Sequence, residues 1–254
     1  MKRYLPLLVL CFLMTASSVE RRVLSFRVAF GYKDARPARF VSDLYEKVQL
    51  IQRLSQPCRE KGQYSCGFTR AADDGDWLYR KLRTENGKQL LVNLRITASS
   101  ASPDDEANRR DRFQEFLTQA SEDNFLSGVR QAEATVYVGH SRDGGGPDFS
   151  PPRLRRDEHV DYSWYQKTQP GLNKMLAALK KNTVHRRRPL LRQPLRPQGQ
   201  VLGLVSCRST QLFARMIEKS SKAVELISAN ELVYYTDGLA MTERALTKIV
   251  AENL

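Results

Sequence analysis

The stretch Ala134-Thr135-Val136-Tyr137-Val138-Gly139-His140-Ser141 decides how this chain folds. Its first five residues read as one short, near-continuous apolar run that stops at a glycine. Such a run suits a strand covered on both faces, as in a parallel sheet. Residues 201–205 (VLGLV) make a second run of this kind, and residues 223–227 and 232–235 read the same way. Between the runs lie helical spacings: Leu172, Met175, Leu176 and Leu179, then Leu212, Phe213, Met216 and Ile217, then Leu246, Ile249 and Val250. Strand and helix alternate, which predicts an α/β fold with a mostly parallel central sheet and helices on both faces.

Upstream, Leu24, Phe26, Val28 and Phe30 alternate along residues 23–30, predicting a strand with one buried face. Leu44, Val48, Ile51 and Leu54 fall at helical spacing. Residues 77–84 and 88–97 flank Glu85-Asn86-Gly87, and Asn-Gly between two strand-like runs predicts a hairpin. Ser102 and the acidic Asp104, Asp105 and Glu106 then open a helix, with Phe113, Phe116, Leu117 and Ala120 as its expected apolar stripe. The expected organisation is a leader over residues 1–18, an N-terminal extension over 19–87 containing the cysteine loop and the start of the hairpin, and an α/β domain over 88–254.

With 41% hydrophobic and 27% charged residues in 254, the composition is that of a globular protein with a substantial core, not of a disordered or fibrous one. Away from the N-terminus no run of eighteen apolar residues occurs, which excludes a polytopic membrane protein and leaves no transmembrane span in the mature chain. Lys2 and Arg3, the apolar residues 5–14 and the small residues Ala16, Ser17 and Ser18 have the pattern of a secretory signal peptide cut near Ser18. The expected location is therefore outside the cytoplasm, periplasmic or secreted. Without Lys2 and Arg3 the net charge falls from +13 to +11. Of the four cysteines Cys11 lies in the leader; Cys58 and Cys66, close together in a polar loop, are natural disulfide partners in an oxidising compartment or else both free thiols. Cys207 is left over.

The candidate chemistry sits where two buried runs end. Residues 134–138 lead through Gly139 into His140, and residues 201–205 lead through Ser206 into Cys207. Ligands of open parallel sheets bind at the carboxyl ends of the strands. If the two strands are neighbours, an imidazole and a thiol face each other there. A thiol attacks an acyl group as thiolate or with a nearby base, and a positioned histidine supplies that base. A helix starting near Thr210 would point its positive end at Cys207 and favour the anion. The other histidines, His159 and His185, have no apolar strand before them.

An apolar strand ending in His plus a small residue, followed later by one ending in small-Cys-x-Ser, resembles the caspase-like cysteine peptidases, the group of caspases, metacaspases, legumains, gingipains and clostripain. His140 and Cys207 stand in that group's order, 67 residues apart, and the resemblance covers about residues 88–254. It implies that His140 is the general acid/base and Cys207 the nucleophile of a thiol-dependent endopeptidase acting on peptides or proteins, with no cofactor. The oxyanion would be held by the Cys207 N–H and one near His140. The group places glycine after the histidine, whereas here Gly139 precedes it and Ser141 follows; Gly144, Gly145 and Gly146 are then the expected second donors.

Other readings are thinner. Gly139-His140-Ser141-Arg142-Asp143 approaches the G-x-S-x-G nucleophile elbow, but its last position is Asp, and the glycines and Pro147 that follow forbid the helix an elbow turns into. Neither a metal-ligand spacing nor a phosphate-binding glycine pattern occurs. The non-enzyme alternative is an inactive relative that binds an anionic envelope polymer. Its contacts would be the arginine-rich stretch 185–196 and the group Arg153, Arg155 and Arg156. The aromatic interleaving of a single-strand nucleic-acid binder is absent there. Residues 141–163 and 182–200 are expected as loops, being rich in Pro, Gly and charge. The second of these is also where proteolytic nicking is expected.

Overall fold

The computed structural model describes residues 21–33, 42–60, 62–72, 75–84, 87–184, 200–221 and 224–254, with Arg21 and Tyr235 described by their backbone alone. The expected leader, the hairpin tip Glu85–Asn86 and the arginine-rich stretch 185–196 lie outside the described residues.

The described residues build one seven-stranded sheet. In chain order the elements are β1 (Arg21–Phe30), α1 (Asp43–Ser55), β2 (Thr69–Arg70), β3 (Trp77–Arg83), β4 (Gln89–Ala98), α2 (Asp105–Arg110), α3 (Gln114–Gln131), β5 (Ala134–Val138), α4 (Tyr162–Thr168), α5 (Pro170–Lys180), β6 (Gln200–Val205), α6 (Ser209–Ser220), β7 (Val224–Ser228) and α7 (Tyr235–Ala251). Across the sheet the strands run β2-β3-β4-β1-β5-β6-β7. The five strands β4, β1, β5, β6 and β7 are mutually parallel, and β3 and β2 add an antiparallel edge. The fold is therefore α/β, with a mostly parallel sheet.

Helices pack on both faces because each buried strand presents apolar side chains on both sides. On one face Leu50, Ile51 and Leu54 of α1 and Leu239, Leu246 and Ile249 of α7 cover Leu24, Phe26, Val28, Val136 and Val205. On the other, Phe125 and Val129 of α3, Leu172 and Met175 of α5, and Phe213 and Ile217 of α6 cover Ala29, Tyr137, Leu202 and Leu204. The cysteine loop carries a Cys58–Cys66 disulfide, and Cys207 is a free thiol. No helix among the described residues is long and apolar enough to cross a membrane.

Four expectations change. The division at residue 87/88 does not coincide with a break in the sheet, since it falls inside the β3–β4 hairpin and β1 lies at the sheet's centre between β4 and β5. The helix expected after Ser102 is two helices, and its stripe is different: Phe113 and Phe116 are 54% and 69% exposed. The face of α3 that meets the sheet is partly polar. Asn124 Nδ2 donates to the Val28 carbonyl at 2.9 Å, Ser121 Oγ bonds Thr97 Oγ1 at 2.9 Å, and Gly128 lets the helix lie against Arg27 and Thr135. Polar groups with built-in partners are cheap to bury, so this face is invisible to an apolar count. Residues 232–235 form no strand. Leu232 and Tyr234 are largely exposed in a loop that turns back over the start of α6 before α7 begins. Finally, β7 is an edge strand with half-exposed residues rather than one covered on both faces.

Candidate functional site

The parallel strands run in opposite sequence directions from β1: the chain goes first outward to β4, then returns to β5, β6 and β7 on the other side. The gap between the carboxyl ends of β1 and β5 is thus the topological switch point, where open α/β sheets ordinarily admit a ligand. Here that gap is filled. Gly31 N donates to the Val138 carbonyl (2.8 Å) and Tyr32 N to the Asp148 carbonyl (3.1 Å), so the loop after β5 folds back across β1. Tyr137, 1% exposed, lays its phenol into the same space. Its Oη accepts from Asp148 N (3.0 Å) and stands 2.9 Å from the His140 carbonyl and 3.1 Å from that of Asp148. Glycine is required on both sides of the phenol, because a Cβ at Gly139 would lie 2.5 Å from Oη and one at Gly31 would clash with it as well. Burial pushes the Tyr137 hydroxyl well above its ordinary pKa, so it stays a neutral donor.

His140 and Cys207 follow the next pair of strand ends, those of β5 and β6. Val138 pairs in register with Val205. Gly139 N extends the ladder by donating to the Val205 carbonyl at 3.1 Å. His140 and Cys207 each follow two residues after this pair, so the two leave adjacent strands at the same height on the same rim. Both are partly buried. Backbone strain accompanies both. Arg142 and Asp143, just past His140, have φ of 45° and 48°, and Arg208, next to Cys207, has φ of 55°. Left-handed non-glycine residues cost free energy and gather at functional sites.

The β6 side is built on Ser209. Its hydroxyl donates to the Leu204 carbonyl (2.6 Å) and accepts from Ala229 N (2.9 Å), while Arg208 N donates to the Glu231 carbonyl (2.9 Å). These bonds fix the start of the twelve-residue α6, two residues after Cys207 in the chain. The β5 side is held by charge. Arg142 is 1% exposed and donates from Nε to Asp148 Oδ2 at 2.8 Å. Phe149 seats the end of the loop among Phe125 and Tyr137, with ring centroids 5.3–5.8 Å apart. A cavity of about 310 Å³ adjoins this loop, lined by Asp148, Arg153, Trp164, Tyr165 and Lys174 among others.

A scan against protein-family models finds no match for this chain, and a search of curated proteins finds none either.

The structure revises the sequence expectations around His140 and Cys207. Gly144, Gly145 and Gly146 do not offer oxyanion donors: Gly144 N and Gly146 N donate to the Ser141 carbonyl and Gly145 N to that of Arg142, closing a tight turn. Ser141 is buried and enters a three-residue 3-10 turn rather than an α-helix, which removes the elbow geometry. His159 is exposed, and His185 lies outside the described residues. Among the described residues no three His, Cys, Asp or Glu side chains gather as a metal-ligand set. The described arginines of the basic loop are largely answered locally, Arg155 by Asp157 at 3.1 Å and Arg153 by Asp161 at 3.6 Å with its guanidinium 4.8 Å from the Trp164 ring. Val184 and Gln200, which flank residues 185–199, stand at the amino end of β6, the rim opposite Cys207. Tyr137 and Asp148 escaped the sequence reading. Only the two glycines at equivalent strand ends, Gly31 and Gly139, hinted that something bulky crosses there.

Proposed function

We propose that the chain is a thiol-dependent peptidase in which Cys207 is the nucleophile and His140 the general acid/base. The observation that carries this reading is the register of β5 and β6, which brings the two residues to one rim at one height. Parallel neighbours lie about 4.8 Å apart, a spacing that supports a pairing of the two residues that follow these strands. Cys207 also stands just before the N-terminus of α6. In the proposed cycle Sγ attacks the scissile carbonyl, and the oxyanion that forms faces the Cys207 N–H at the head of α6. The C–N bond then breaks as the His140 imidazolium protonates the leaving amine. Water, deprotonated by the imidazole, hydrolyses the thioester and restores the thiol. The resemblance to caspase-like peptidases supports the same order of residues. Export to an oxidising compartment, periplasmic or extracellular, is supported by the Cys58–Cys66 disulfide and by the leader pattern.

A peptidyl acyloxymethyl ketone tests the reading, because it alkylates only activated active-site thiols. At pH 7 it is expected to label Cys207 in the native chain and to label it far more slowly in His140→Ala. Equal labelling of the two, or labelling only after unfolding, would overturn the dyad.

A further inference from the structure

We infer that Tyr137 is a positioning residue for His140, acting through the backbone rather than on the imidazole; the inference rests on the His140/Cys207 reading. Between Gly139 and Phe149 the chain makes a loop with four residues at positive φ, Arg142, Asp143, Gly144 and Gly146. Such a loop has no regular hydrogen-bond ladder to fix the height of His140. The phenol of Tyr137 supplies the missing reference. It is anchored from below, as the ring belongs to a fully buried strand and packs edge-on against Phe125 and Phe149. At its tip Oη meets both ends of the loop, the His140 carbonyl at one and the Asp148 amide and carbonyl at the other. One hydroxyl has a single proton, so it donates to one carbonyl at a time while accepting from Asp148 N.

Asp148 is itself immobilised twice more, by Tyr32 N on its carbonyl and by Arg142 Nε on its carboxylate. The hydroxyl therefore ties the segment that carries the imidazole to a point fixed by β1. Cys207 has no part in this network; its own position is set by Ser209 and the β7–α7 loop. Removing the hydroxyl should consequently move the imidazole and leave the thiol where it is.

The test compares two labelling rates on the Cys207 peptide of the full chain at pH 7, by a peptidyl acyloxymethyl ketone and by iodoacetamide, for wild type, Tyr137→Phe and His140→Ala. The ketone needs the imidazole placed beside the thiol, and iodoacetamide needs only an accessible sulfur. His140→Ala is expected to lose most of the ketone rate. Tyr137→Phe is expected to lower the ketone rate at least tenfold while keeping the iodoacetamide rate and a cooperative melt. Gly139→Ala, which drives a Cβ onto Oη, is expected to lower it in the same way should the Phe variant fold poorly. A ketone rate equal to wild type in Tyr137→Phe or Gly139→Ala overturns the positioning role while the dyad stands. A wild-type ketone rate unchanged by His140→Ala overturns both.

Discussion

Alanine at His140 is expected to slow peptide hydrolysis by about 10²–10⁴-fold, the usual contribution of a positioned acid/base, and alanine at Cys207 to abolish it. The asymmetry follows from the roles. Without the imidazole the thiol remains, with no general base beside it. Without the thiol there is nothing to form the acyl-enzyme. The measurement is the release of new amino termini from a denatured protein substrate, from pH 5 to 9. A Cys207→Ala chain that cleaves as well as wild type would remove the thiol from the chemistry. A His140→Ala chain with an unaltered profile would remove the imidazole.

The largest expected loss of stability lies in the same loop. Asp148→Ala deletes an ion-pair partner of Arg142, whose side chain is 1% exposed. Breaking a buried pair from one side typically destabilises by about 3–5 kcal/mol. Asp148→Ala is therefore expected to lower the urea midpoint sharply. Asp148→Asn, which keeps an acceptor for Nε, should lose less. Arg110→Ala serves as control: its pair with Glu106 is solvent-exposed at both ends and should leave the midpoint unmoved. Equal midpoints for Asp148→Ala and wild type would show that this ion pair carries none of the stability.

What could be seen in the linear chain follows from what each residue touches. β5 and β6 announce themselves because both faces are covered, so no polar alternation interrupts residues 134–138 or 201–205. The two helix-covered faces follow from the same alternation of runs. The central place of β1 was hidden by Arg22, Ser25 and Arg27, which make the strand look one-sided. In the sheet Arg27 is covered instead by the Trp77 indole, 4.4 Å from its guanidinium carbon. The buried stripe of α3 was hidden for the converse reason: Gln114, Ser121 and Asn124 are polar, yet each finds a partner in or beside the sheet. At the site, strand ends could be read from Gly139 and Ser206, but the register that sets His140 and Cys207 at one height is a property of pairing, not of either segment. The same holds for Tyr137 and Asp148. A tyrosine inside an apolar run reads as core, and an aspartate among glycines and prolines reads as loop; only the backbone path across β1 joins them.

The account turns on an acyl group passing through one sulfur. Its most direct test is an acid-quenched incubation of the chain with a peptide ester, analysed by intact mass and fragmentation. The result predicted is a transient adduct with the mass of the acyl portion, carried on Cys207 and absent from Cys207→Ala. Turnover without any adduct at Cys207, or with the adduct on Ser141 instead, would contradict it.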